Sequence, residues 1–460
     1  MVNRCRTAAF VWLALALAGG AGLAAQNIDP GIADPRGVDP RQLRGADQAA
    51  GDQRSIDLPY EQWLGGPDRR EIKWELTLSP PRLTYDLRHL MLLGVEVAES
   101  ALLKLGATPD LHLLIKAGDG THWYGPENYT HFPVPKLGEK VAIQFLSALY
   151  LRAGRHEIGI VLYDSANQKL SVTRRWVTVA AVKHDPLPQL DGDLPAVEFA
   201  TVSGDDAPAA GKPWHSREKP KGPRVSSSGL DLSAASNTSM LPATPETRTL
   251  RLRSSAALQV DVLVDFTPTS QFQSSSLAYS LSESAMWGML RILALVKPAG
   301  GCVLLTGIDV LGQRVLFERV NAAAVDWQRL AELVAKLDAH TVDVRTLEAH
   351  KRMSEFFRNQ MSRLMETDDA GCTRSVKGAP LQHIYIIAAD GVAFPSGTPR
   401  TAINTTSERS SKFYYLRRGN PWDEMGSIVK PLHPRRLSAD TPMKFRESLA
   451  KLIADLGGAQ

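Results

Sequence analysis

Two aspartates stand where carboxylates can do chemistry. The run Val260-Asp261-Val262-Leu263-Val264 reads as a strand and ends in Asp265-Phe266-Thr267-Pro268-Thr269. A second run, Ile384 to Ala389, reads as another strand and ends in Asp390-Gly391. In an open α/β sheet, ligands bind beyond the carboxyl ends of the strands, at the point where the strand order reverses. Two strand-end carboxylates and the hydroxyls of Thr267 and Thr269 make an all-oxygen donor set. Such a set suits a hard cation such as Mg²⁺, which takes oxygen ligands octahedrally and keeps waters or a partner's oxygen. The other use of these aspartates is to cap neighbouring backbone N–H groups.

Other chemistries have less behind them. The chain has no Gly-x-x-x-x-Gly-Lys-Ser/Thr loop, no Gly-x-Gly-x-x-Gly after a strand and no Gly-x-Ser-x-Gly elbow. His156-Glu157 lacks a second histidine and lies in a strand pattern, and the other histidines are scattered, so no zinc site is expected. Three cysteines occur. Cys5 precedes an apolar leader, which leaves Cys302 and Cys372 either to form one disulfide or to remain separate thiols, with Cys302 as a small buried hydrophobe.

The elements that must position these residues fall into blocks. Residues 1–25 carry Arg4 and Arg6, an apolar run from Ala8 to Ala18, and small residues at Gly22-Leu23-Ala24. This is the layout of a secretory signal peptide, and it places the mature chain in the periplasm or outside the cell. No later run is long and apolar enough to span a bilayer. Residues 26–70, rich in Pro, Asp, Arg and Gly, read as a mobile leader. Over 71–185, short alternating runs (Trp74 to Leu78, Leu92 to Val97, Leu111 to Ile115, Val141 to Phe145, Ile158 to Tyr163, Val172 to Val179) are separated by turn signals such as Asp119-Gly120 and Asp164 to Asn167. That pattern predicts an antiparallel β-sandwich. Residues 186–250 hold nine prolines and read as a linker. From 251 to 460 strand and helix alternate, which predicts a doubly wound α/β sheet. Its closing helix has Thr441 as N-cap, Pro442 at the first position, and Gly457 as terminator.

Two resemblances attach to these blocks. The segment from Leu151 to Asp164 is similar to the late hairpin of an immunoglobulin-like domain. The segment from about 255 to 457 resembles a von Willebrand factor A (VWA) domain of the bacterial exported VWFA-related type. In that family an Asp-x-Ser-x-Ser motif follows the first strand, a Thr lies in a middle loop, and Asp-Gly follows the fourth strand. Asp265, Thr267 and Thr269 match the first motif with Thr in place of Ser, Asp390-Gly391 matches the last, and the middle Thr is either Thr341 or Thr346. Pro268 departs from the pattern and fixes φ inside the coordinating loop. The resemblance implies Mg²⁺ held at an adhesion-type site, completed by a carboxylate from a protein partner.

With 53 Lys+Arg against 49 Asp+Glu the net charge is +4, and loss of Arg4 and Arg6 leaves about +2. That field is too weak to favour nucleic acid as the partner. The expectation is an exported, non-enzymatic, multidomain protein-binding module. A metal-free structural scaffold is the first alternative, and a secreted hydrolase using Asp390 and a histidine is the second.

Overall fold

The computed structural model describes residues 58–106, 108–125, 127–134, 142–191, 194–203, 224–226, 239–242, 248–252, 257–267, 276–298, 300–310, 312–335, 337, 352–366, 381–390, 411–419 and 424–457. All lie within one compact unit, Gly51–Gln460. The expected signal peptide (1–25), Thr269, Thr341, Thr346, Cys372 and Gly391 fall outside them. The protein is rich in β-structure and is built from several sheets.

The amino-terminal half is two antiparallel sheets face to face. One runs β1 (Arg69–Arg70), β9 (Lys169–Val179), β8 (Gly154–Asp164), β5 (Asp110–Gly118), β6 (Asn128–Pro133). The other runs β12 (Ser239–Pro242), β10 (Val197–Ser203), β7 (Ala142–Leu151), β4 (His89–Val97), β2 (Glu75–Leu78), with β3 (Arg82–Leu83) beside β4 and β11 (Arg224–Ser226) beside β7. Side chains alternate along each strand, so one set from each sheet fills the layer between them. Leu111, Leu113 and Ile115 of β5 meet Met91, Leu93 and Val95 of β4 there, together with helix α2 (Glu99–Leu105). The opposite set on β5 and β8, including Leu114, Val161 and Tyr163, faces outward. It is covered by the short helix α1 (Tyr60–Gly65) through Leu64 and Trp63. Gly159 makes that cover close: a Cβ there would lie 2.7 Å from both Leu64 and Trp123.

Two boundaries differ from the composition-based reading. Helix α1 and β1 come from the stretch read as a leader, and the aromatic residues of α1 pack on the outer face of the sandwich. The stretch 186–250, read as a linker, supplies β10, β11 and β12 to the sandwich. Leu187 and Leu190 from the same stretch are buried in the core of the carboxyl-terminal half. Proline and serine content lowers the local strand signal, while pairing with β7 is a long-range gain that composition does not register.

The carboxyl-terminal half is a six-stranded sheet in the order β17 (Arg314–Asn321), β16 (Gly301–Asp309), β14 (Ala257–Asp265), β18 (Leu381–Asp390), β19 (Ser411–Arg418), β20 (Arg435–Ser438). Every pairing is parallel except β16 with β17. A two-stranded parallel pair, β13 (Leu250–Leu252) with β15 (Val296–Pro298), stands beside it. All nine residues of β14 are buried, as a central strand covered on both faces requires. On one face Val260, Val262 and Val264 pack with α3 (Ser276–Ala294), α4 (Trp327–Ala335) and α7 (Pro442–Asp455). On the other, Leu263, Tyr385 and Ile387 pack with α5 (Met353–Glu366) and α6 (Glu424–Val429). Helix α7 opens as its sequence predicts, with the Thr441 Oγ1 accepting from Lys444 N at 3.2 Å.

The two halves are joined by buried polar contacts. Arg446 of α7, fully buried, donates to the Asp185 carboxylate and to Leu187 O (3.0 Å). The turn between β3 and β4 lies on α3, where Arg291 pairs with Asp86. Gly288 permits this approach, since a Cβ there would meet Tyr85 Cβ at 2.7 Å and its backbone carbon at 2.8 Å.

Candidate functional site

Strand β14 is the first strand of the six-stranded sheet in the chain and lies at its centre, with β16 on one side and β18 on the other. The order reverses between β14 and β18, so Asp265 ends its strand at the switch point. Its Oδ1 accepts from Thr267 N (3.0 Å), Thr267 Oγ1 (2.5 Å) and Val310 N (3.3 Å). Its Oδ2 is buried and has no hydrogen-bond partner among the described residues. Asp309, one strand over, approaches Thr267 Oγ1 at 3.5 Å and accepts from Gly312 N and Arg314. Burial pushes the Asp265 carboxyl up to about 7; the Thr267 hydrogen bonds oppose this and the Asp309 charge adds to it.

Asp390 has a different environment. Both of its oxygens accept from Arg418 Nη1 at 2.8 Å, and Arg418 Nε reaches Tyr85 Oη at 3.3 Å. Tyr85 Oη in turn donates to Ala439 O at 2.8 Å. The two aspartates sit one residue out of step: Val264 pairs with Ala388, so Asp265 is level with Ala389 and Asp390 lies one further on. A one-residue offset exchanges faces. Leu263 and Ile308, Asp265's alternate neighbour and register partner, belong to one face of the sheet, while Ala388 and the Tyr85 that Arg418 covers belong to the other. The structure therefore groups Asp265 with Thr267 and with Asp309, which the sequence did not single out, and gives Asp390 to Arg418.

Asp265 Oδ2 and Thr267 Oγ1 are hard oxygen donors that fit Mg²⁺, and the first is buried and without a hydrogen-bond partner among the described residues. Asp390 fits less well, because a guanidinium already supplies its counter-charge. Cys302, at the start of β16, is disulfide-bonded.

A second cluster lies outside the residues that the sequence pattern singles out. Asp110 and His112 lie two apart on β5, His131 lies opposite His112 on β6, and their ligand atoms fall within 4.8 Å of one another, a group able to hold a metal ion. His131 Nε2 is 2.6 Å from Asp110 Oδ1, and His112 Nε2 is 3.4 Å from Asp110 Oδ2. Ser165, from the β8–β9 turn, donates to Asp110 Oδ2 at 2.6 Å and lies 3.0 Å from His112 Nε2. His112 Nδ1 meets Tyr129 Oη at 2.7 Å. Burial acts to raise the Asp110 pKa, but hydrogen bonds from Ser165 and His131 outweigh it and hold the carboxyl below its usual range. Burial and then His131 depress His112. The signal available was an Asp-x-His alternation on a strand; only the β5–β6 register brings His131 to it.

No family model matches this chain, and no curated protein does. Among solved structures, a Northeast Structural Genomics Consortium target is similar at 10% identity, covering 26% of this chain and 96% of that one, with a TM-score of 0.16. A β-glucosidase from Listeria innocua in complex with glucose is similar at 10% identity over 24% of this chain and 16% of that one, with a TM-score of 0.13. Likenesses this slight carry no argument about fold or activity. Among the described residues, no helix is long and apolar enough to cross a membrane.

Proposed function

We propose that this chain is an exported, non-catalytic protein-binding module, in which an immunoglobulin-like sandwich carries a doubly wound, VWA-like sheet that meets its partner at the carboxyl edge. The observation behind this reading is the buried Oδ2 of Asp265, without a hydrogen-bond partner among the described residues, beside the Thr267 hydroxyl at the switch point of the sheet. A buried carboxylate oxygen without a donor is costly unless it is protonated or faces a cation. Asp265 and Thr267 would hold Mg²⁺, and the bound ion would supply the positive charge that a partner carboxylate recognises. Asp265 is oriented for this by Thr267 and Val310, while Arg418 ties Asp390 and the ends of β18 and β19 together.

One observation favours a second reading, a metal-free scaffold that binds through its loops: the Arg418 guanidinium occupies both oxygens of Asp390. Affinity capture from the native exported fraction separates the two. Wild-type bait should retain a partner in Mg²⁺ and lose it in EDTA, and Asp265→Ala should lose it in both. Capture that ignores both chelation and the substitution would discard the cation reading.

A further inference from the structure

We infer that Asp110, His112 and His131 form a second metal site, on the outer face of the sandwich, that takes a zinc-type first-row divalent ion. Two imidazole nitrogens and one carboxylate select Zn²⁺ and its transition-metal neighbours over Mg²⁺ or Ca²⁺, which prefer oxygen alone. The strands fix the geometry: His112 and His131 are direct cross-strand partners, and Asp110 shares their face because it precedes His112 by two.

The distances leave little to close. In a tetrahedral shell with ligand bonds near 2.1 Å, neighbouring ligand atoms lie about 3.4 Å apart. Here the Asp110 oxygens stand 2.6 Å from His131 Nε2 and 3.4 Å from His112 Nε2. The two imidazoles now stack with centroids 4.5 Å apart. Aiming both Nε2 atoms at one centre turns the His131 ring, which is 26% exposed and lies on the edge strand β6. The same opening gives an ion a way in, whereas His112 is fully buried. Ser165 Oγ, touching both Asp110 and His112, or a water, completes four-coordination.

The surroundings suit either state of the site. Without metal, Ser165 donates to Asp110, so His112 Nε2–H donates to Ser165 and Tyr129 donates to His112 Nδ1. On metal binding, the Nε2 proton leaves, Nδ1 becomes the protonated nitrogen, and Tyr129 Oη accepts from it. A phenol hydroxyl serves both tautomers, as an outer-shell partner of a metal-bound imidazole must. Loading moves the one N–H proton of a neutral imidazole from the nitrogen facing the ion to the other ring nitrogen, so a neutral ring releases none, and no redox step is involved.

The test uses the full chain, stripped with EDTA and titrated calorimetrically with Zn²⁺ in excess Mg²⁺. One saturable site is expected, with affinity at least tenfold weaker in His131→Ala and in Asp110→Asn, and unchanged in His122→Ala, a histidine outside the cluster. Should a variant fold poorly, the wild type still decides: Co²⁺ should give the intense visible bands of a tetrahedral nitrogen–oxygen site, and saturating Zn²⁺ should raise the melting temperature. Absence of saturable Zn²⁺ binding, or binding that survives both substitutions, would overturn the proposal and leave the cluster as a hydrogen-bonded brace between β5, β6 and the β8–β9 turn.

Discussion

Replacing Asp265 with asparagine is the sharpest probe of the strand-end site. In the folded protein the carboxyl is pushed up to about 7 by burial, against an ordinary value of 3.8. An acid whose folded pKa is raised holds its proton more tightly in the native state. Unfolding below pH 4 releases no proton from it, and between about 4 and 7 it does. The stability associated with the protonated group is therefore fully present below pH 4, falls as pH rises through that window, and levels above 7. At about 1.4 kcal/mol per pKa unit, the three-unit gap sets a ceiling of about 4 kcal/mol on the loss. The Asp265→Asn variant would keep the acceptor used by Thr267 N, Thr267 Oγ1 and Val310 N, and place a neutral amide where Oδ2 now lacks a donor. An unpartnered buried amide costs about 1–3 kcal/mol, so at pH 8 the variant should exceed the wild type by about 1–3 kcal/mol.

Urea unfolding at pH 4, 5, 6, 7 and 8, with hydrogen exchange of the β14 amides as the local readout, measures this. The wild type should weaken across the series and the variant should be flatter. A wild type whose stability is level or rises from pH 4 to 7, with the variant no stronger at pH 8, would refute the assignment of a charge-averse carboxyl. Mg²⁺ adds a second arm. At one hundred times its dissociation constant, an ion bound only by the folded state stabilises by about 2.7 kcal/mol. At pH 8 it should do so in the wild type and not in Asp265→Asn; equal insensitivity in both would favour the scaffold reading.

Two other perturbations bear on the frame around the site. Arg418→Ala removes the guanidinium that both oxygens of Asp390, only 8% exposed, accept from, and should cost about 3–5 kcal/mol in urea unfolding; Arg418→Ala as stable as wild type would mean that the pair contributes little. Cys302→Ser removes a disulfide and should lower stability by about 2–4 kcal/mol in oxidising buffer while making the melting temperature indifferent to dithiothreitol; a variant that melts like the oxidised wild type would show that the bond contributes little.

The parts of this architecture that could be read from residue order are those governed by local rules. Strand β14 announces itself as a run of mostly apolar residues, α7 by Thr441 and Pro442 at its start, and the β8–β9 turn by Asp164 to Asn167. The strap from Asp185 to Leu190 was hidden, because what holds it is Arg446, 261 residues away, and a buried core on the far half of the protein. Composition counts its prolines and misses its partners. His112 and His131 were hidden for a related reason: each looks ordinary on its own strand, and their adjacency exists only in the β5–β6 register.

Asp265 and Asp390 show why a motif at two strand ends underdetermines a site. Both aspartates close parallel neighbours in one sheet, yet the pairing of Val264 with Ala388 sets them one step apart and so on opposite faces. Each then finds its own solution to burial. Asp390 meets a guanidinium that also covers the Tyr85 ring, which ties the sheet edge to the sandwich turn and on through Tyr85 to Ala439. Asp265 meets backbone N–H groups and a hydroxyl that satisfy one oxygen and, among the described residues, leave the other without a donor. A purely structural carboxylate gains nothing from that asymmetry, since an asparagine would satisfy the same three donors without a buried charge. That oxygen, without a hydrogen-bond partner among the described residues, would be satisfied by a proton or, on the proposed reading, by a cation, and the charge of Asp309 beside it raises the Asp265 pKa further.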